Sequence, residues 1–269
     1  MSDFSNDVLI VIGHGASDKP DSRDSAAVIA DLLRNRALFK AVRAGFLKHE
    51  PFASDLLKET EAEDKTGRVF LVPHMAHAGY ITRTVIPRDL GLDNGTRPVY
   101  LCDPVGTHPS IPGLIRRRLD AALNANGIAA ADCTVLLVGH GSAKHDTSAD
   151  HTRALAETVA GVGAPLAVRA LFLEQEPYLR DWAFLAGHET VVVAPFLMSG
   201  GMHGAEDIPA AFGIAPAIVH FGSGGNAMAG PFKTGEHTVW LQPPLGGDPA
   251  IADIVLARVE AAFKEPKSY

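Results

Sequence analysis

The chain repeats itself, and an internal repeat restricts the fold more than any single motif, because both copies must build the same unit. Residues 8–17 read VLIVIGHGAS and residues 135–142 read VLLVGHGS, which sets Gly13-His14-Gly15 against Gly139-His140-Gly141. GFLKHEPF (45–52) answers LFLEQEPY (171–178) and places Glu50 opposite Glu176. VFLVPHMAHAGYITRTVIPRDLG (69–91) answers VVVAPFLMSGGMHGAEDIPAAFG (191–213), pairing Pro73 with Pro195 and Pro87 with Pro209. VYLCDPVGTHP (99–109) answers VWLQPPLGGDP (239–249), after an extra Gly/Ala-rich stretch, roughly 215–237, in the second copy. A shared strand-turn-helix look explains one such match, not four in the same order. The expected organisation is a first repeat over 1–129 and a second over 130–269.

Within each copy, short apolar β-branched runs bounded by Gly, Pro or His (8–12, 69–72, 99–102, 135–138, 191–194 and 239–241) read as buried strands. Segments 24–38, 52–61, 111–124, 147–162 and 251–263 carry helical spacing. Strands alternating with helices predict an α/β fold, two tandem units each with a mainly parallel sheet flanked by helices. Ligands of such sheets bind beyond the carboxyl ends of the strands. The GHG motifs, the EP motifs and the post-strand prolines are therefore expected along one edge of each sheet. The extra 215–237 stretch reads as a surface loop, with a mobile flap as the other reading.

Composition narrows the function. With 46% apolar and 20% charged residues the chain has an ordinary globular balance. A net charge of -7 without a long Lys/Arg stripe argues against nucleic acid as a partner. No apolar run is long enough to span a membrane, and no secretory signal is visible. Two cysteines, Cys102 and Cys133, point to a reducing compartment, and a cytoplasmic location is expected.

Three features carry chemistry. In Gly139-His140-Gly141-Ser142 the flanking glycines permit a sharp turn and leave the imidazole uncovered, suiting a metal ligand, a general base, or a turn histidine bonded to a carbonyl. In Gly200-Gly201-Met202-His203 a glycine pair presents His203, a borderline-soft donor for Co²⁺, Ni²⁺, Fe²⁺ or Zn²⁺; Ile81 takes its place in the first copy. Glu206 and Asp207, a turn later, read as favourable charges at a helix start. Glu176, before Pro177, is a candidate ligand or proton acceptor. No P-loop, dinucleotide fingerprint, nucleophile elbow around Ser142 or C-x-x-C pair is present.

A strand ending in GHGS, a downstream FLE-x-EP block and a late P-F-L…H-x-x-x-DIP block together resemble the class II tetrapyrrole chelatases, in particular the sirohydrochlorin cobaltochelatases of the CbiX/CbiK type. The resemblance covers most of both copies. It implies two flavodoxin-like units facing a cleft, and insertion of a divalent metal into sirohydrochlorin or a related tetrapyrrole without a nucleotide. Co²⁺ is the expected metal, with Fe²⁺ or Ni²⁺ as alternatives. A siroheme-type ferrochelatase and a non-catalytic metal or tetrapyrrole carrier are the rival readings. The resemblance maps the metal-binding and catalytic set onto His140, Glu176 and His203, in the second copy. A polycarboxylate substrate calls for cationic or hydrogen-bonding partners, and His14, His77, Arg83 and Lys144 are the candidates, with Lys19, Arg23, His145 and Arg180 behind them. His74 and His77 join His14 in a second metal site, touch substrate, or are inert.

Overall fold

The computed structural model describes residues 2–15, 24–63, 67–92, 98–143, 146–199, 203–221 and 227–265, without the side chains of His203 and Ala205. The first sheet holds β1 (Val8–Gly13), β2 (Ala41–Phe46), β3 (Val69–Pro73) and β4 (Val99–Leu101) in the order β2-β1-β3-β4, all parallel. The second holds β5 (Cys133–Gly139), β6 (Ala167–Phe172), β7 (Thr190–Pro195), β8 (Ala229–Thr234) and β9 (His237–Leu241) in the order β6-β5-β7-β9-β8. Its first four strands are parallel, and β8 pairs antiparallel with β9. The helices are α1 (Ser25–Arg34), α2 (Ala53–Glu63), α3 (Ile86–Leu90), α4 (Ile111–Ala125), α5 (Thr147–Gly161), α6 (Trp182–Leu185), α7 (Ile208–Ala211) and α8 (Ile251–Lys264).

The continuous apolar runs become central strands because both faces are covered. Every residue of β1, β3 and β5 is buried. Val8, Ile10, Ile12, Leu71 and Ile86 share one core, and Leu136, Val138, Val193, Ile208 and Phe212 share the other. Each such side chain stabilises the fold by about 1.5–3 kcal/mol when fully buried.

In each sheet the chain moves to one side of the first strand and then returns to the other. β1 lies between β2 and β3, and β5 between β6 and β7. The connections diverge there, leaving a crevice at the carboxyl ends of the strands. His14 and His140 follow those two strands directly.

The compact units do not divide where the repeats do. One comprises Met1–His108 with Pro249–Tyr269, the other Pro109–Asp248. The last helix of each repeat is thus counted with the other repeat's sheet: α8 packs on α1, β3 and β4, and α4 packs on α5. One arginine, buried in α4 and partly buried in α8, fastens each helix at the same helix position. Arg118 of α4 donates to the Pro243 carbonyl at 2.8 Å and lies 3.3 Å from Asp248, while Gln242 donates to the Arg118 carbonyl at 3.2 Å. Arg258 of α8 donates to the Pro104 carbonyl at 2.9 Å and to Thr107 Oγ1 at 2.7 Å.

The extra stretch of the second copy is not the surface loop expected. Its later part forms β8 on the sheet edge, and Val219 and Phe232 pack against the second core. Pro231 and the exposed Lys233 discourage further pairing along that edge. No helix among the described residues is long and apolar enough to cross a membrane.

Candidate metal centre

The two GHG turns have the same local geometry. Gly15 and Gly141 adopt φ of +74° and +76°, a left-handed backbone that favours glycine. In each turn the histidine Nδ1 lies 3.1 Å from the next glycine's carbonyl oxygen. A carbonyl only accepts, so Nδ1 carries the proton and Nε2 is the ring's lone-pair nitrogen. Committing one ring nitrogen to a backbone carbonyl is a way of orienting metal-binding imidazoles. The His140 side chain is 39% exposed, open enough for an ion to reach it.

The carboxylate found beside His140 is Glu174, with Oε2 3.6 Å from Nδ1. Sequence reasoning singled out Glu176 and passed over Glu174, two residues earlier. Glu176 is exposed and lines a hollow of about 400 Å³ with Pro177, Tyr178, Asp181, Phe184 and Leu185. The backbone explains the choice of carboxylate: Leu173 N–H donates to the Gly139 carbonyl at 3.2 Å and Glu174 N–H to the His140 carbonyl at 3.0 Å. The β5–β6 ladder therefore runs one step beyond the strands and carries Glu174 alongside His140.

His203 opens a π-helical turn, His203–Asp207, that leads into α7. The first repeat has the same device at the matching place, Ile81–Val85 leading into α3. Single π turns are rare and gather at functional sites. Among the described residues, no three His, Cys, Asp or Glu side chains form a group ready to hold a metal, and the His203 side chain is not among them. Glu206 and Asp207 are exposed in this turn.

The remaining candidates separate. His74 is 3% exposed and its backbone N–H donates to the Ile12 carbonyl, as the Phe196 backbone N–H donates to the Val138 carbonyl, so His74 occupies what is a core position in the second copy. His77 is partly buried, and Arg83 is exposed in the first π turn. The Arg180 guanidinium lies over the Tyr178 ring at 3.8 Å. Lys19, Arg23, Lys144 and His145 lie outside the described residues. Both cysteines are buried and neither is in a disulfide, and burial pushes the Cys133 thiol up to about 11, so at neutral pH it is no thiolate ligand. His151, on α5 with its ring 5.8 Å from that of Phe196, is lowered from the ordinary histidine value by burial.

Two doubly wound sheets in a duplicated chain, each placing a glycine-flanked histidine where its strand order reverses, define a chelatase-like α/β protein. The chain belongs to the CbiX family, whose model matches residues 8–122 and again 134–262. It is 29% identical over 276 residues to a probable sirohydrochlorin cobaltochelatase of Halobacterium salinarum, across 94% of this chain and 91% of that relative. It superposes with a TM-score of 0.69, at 26% identity over 94% of its length, on a multi-domain Deinococcus radiodurans protein described as structurally similar to chelatases; it spans 55% of that protein. SirB from Bacillus subtilis, solved with Fe³⁺, shares the fold at a TM-score of 0.71 and 17% identity, covering 97% of this chain and 98% of that one.

Proposed function

We propose that the chain is a metal chelatase that inserts a divalent ion, Co²⁺ before Fe²⁺ or Ni²⁺, into sirohydrochlorin or a closely related tetrapyrrole. The observation that carries this reading is His140, held at the sheet's switch point with Nδ1 bonded to a carbonyl and Glu174 beside it. The name of the Halobacterium relative supplies the substrate class.

His140 Nε2 and His203 are the proposed nitrogen ligands. Glu174 and Glu176 compete for the carboxylate position, and the distance to His140 favours Glu174. Two neutral imidazoles and one carboxylate hold a borderline ion less tightly than thiolates do, so the ion can be passed on. Metallation also releases two protons from the macrocycle's N–H groups. Imidazole, with an ordinary pKa of about 6.5, accepts protons close to neutrality. For the peripheral carboxylates of the substrate, His14, His77, Arg83 and Lys144 are the proposed partners, and the cytoplasm is the proposed compartment.

The test mixes the protein with sirohydrochlorin and each metal in turn and follows the macrocycle's absorption. Conversion of many equivalents of tetrapyrrole per protein is expected, fastest with Co²⁺. A one-to-one spectral change that stops there contradicts an enzyme and establishes a carrier; faster conversion with Fe²⁺ reassigns the metal.

A further inference from the structure

We infer that Gln175 and Arg153 are positioning residues that pin the loop carrying Glu174 against the 139–142 turn. This rests on the metal-site reading above and deepens it. The backbone ladder alone brings Glu174 level with His140, but it ends there. Beyond it, two side chains hold the loop. Gln175 Oε1 accepts from the Ser142 N–H at 2.7 Å, and its Nε2 lies 3.4 Å from Asp146 Oδ1, just before α5. Arg153, in the second turn of α5, donates from Nη2 to the Glu176 carbonyl at 3.0 Å, and its guanidinium carbon sits 5.2 Å from the centroid of the Phe172 ring. Its Nη1 reaches Asp150 at 3.0 Å, which fixes the side chain on the helix. Residues 175 and 176 are thus held by a side chain and a carbonyl, immediately after the carboxylate that faces His140.

The first repeat supplies an internal comparison. Ala26 packs over Gly13 as Thr152 packs over Gly139, which fixes the register of α1 against α5. In that register Ala27 stands for Arg153, and Lys48 and His49 stand for Glu174 and Gln175. His49 instead donates from Nδ1 to the Glu50 carbonyl at 2.7 Å and packs on Phe46 with ring centroids 4.1 Å apart. Both repeats make the same β-strand-to-loop turn, so a clamp needed only for folding belongs in both. The first repeat has neither an arginine nor a glutamine at those two places, and among the described residues the clamp occurs only in the repeat that has Glu174 and His203. Outer groups that orient ligands typically change metal affinity by about 10–100-fold.

The test titrates the full-length protein with Co²⁺ and follows its visible absorption, comparing wild type, His140→Ala, Gln175→Leu, Arg153→Met and Arg153→Lys, with melting temperatures alongside. Wild type is expected to give a Co²⁺ spectrum that His140→Ala abolishes. Gln175→Leu and Arg153→Met are expected to weaken Co²⁺ binding about tenfold with little change in melting temperature, and Arg153→Lys, which keeps a donor, to recover most of it. Unchanged affinity and spectrum in both Gln175→Leu and Arg153→Met, with the Co²⁺ spectrum still abolished by His140→Ala, overturns the clamp and leaves the metal site standing. Parallel loss of melting temperature and Co²⁺ binding that Arg153→Lys does not restore also overturns it. A wild-type spectrum indifferent to His140→Ala overturns the metal site and the clamp together.

Discussion

At the scale of single residues, the glycine after each histidine decides the site's geometry. Gly141 sits at φ +76°, and a Cβ there would lie 2.9 Å from Gln175 Cγ and 3.0 Å from Phe172 Cβ. Gly141→Ala therefore costs about 1–3 kcal/mol through backbone strain alone, and a melting temperature several degrees lower is expected by calorimetry. Gly161→Ala, in α5 with open space around the added methyl, is expected to leave stability unchanged or slightly raised. Equal melting temperatures for the two variants would contradict this account of the turn. The glycine-flanked histidines were legible in the sequence because glycine on both sides of a polar residue after an apolar run has few other uses. Which carboxylate lies beside His140 was less legible. Glu174 and Glu176 are two residues apart in a loop, and spacing alone does not say that the β5–β6 hydrogen bonds extend one step to bring Glu174 to His140.

Among elements, the buried strands β1, β3, β5 and β7 and the five long helices follow the apolar patterns closely, because burial on both faces or on one stripe leaves a periodic trace. The outer strands β2 and β6 were harder to see. Ala41–Phe46 mixes partly buried and buried residues, Ala167–Phe172 mixes exposed and buried ones, and they include Arg43 and Arg169. The π turns were not anticipated, since one extra residue in a turn shifts the register without changing composition. Their recurrence at Ile81–Val85 and His203–Asp207 shows that the irregularity belongs to the duplicated unit, although only the second copy places a histidine there. β8 escaped notice because its Gly/Pro content reads as loop, while its pairing with β9 is a property of the sheet edge.

For the whole molecule, the duplication was plain in the four aligned blocks, whereas the exchange of α4 and α8 between compact units was not. Periodicity identifies the apolar face of a helix but not the sheet it covers. The exchange predicts that neither repeat is a folding unit by itself. A chain ending after residue 129 keeps the first sheet but lacks α8, and it is expected to be unfolded alone and to recover structure when residues 130–269 are co-expressed. A cooperative thermal transition in residues 1–129 alone would contradict this. Within the intact chain, Arg118→Ala removes the guanidinium facing buried Asp248 and is expected to cost about 3 kcal/mol by denaturant titration, since breaking a buried pair leaves a desolvated charge behind. The central claim, that the second repeat's histidines perform metal insertion, is tested most directly by the steady-state rate of Co²⁺ insertion into sirohydrochlorin for wild type, His140→Ala and His203→Ala. The account predicts loss of turnover in both variants while circular dichroism and melting temperature stay at wild-type values. Wild-type turnover in either folded variant would contradict it.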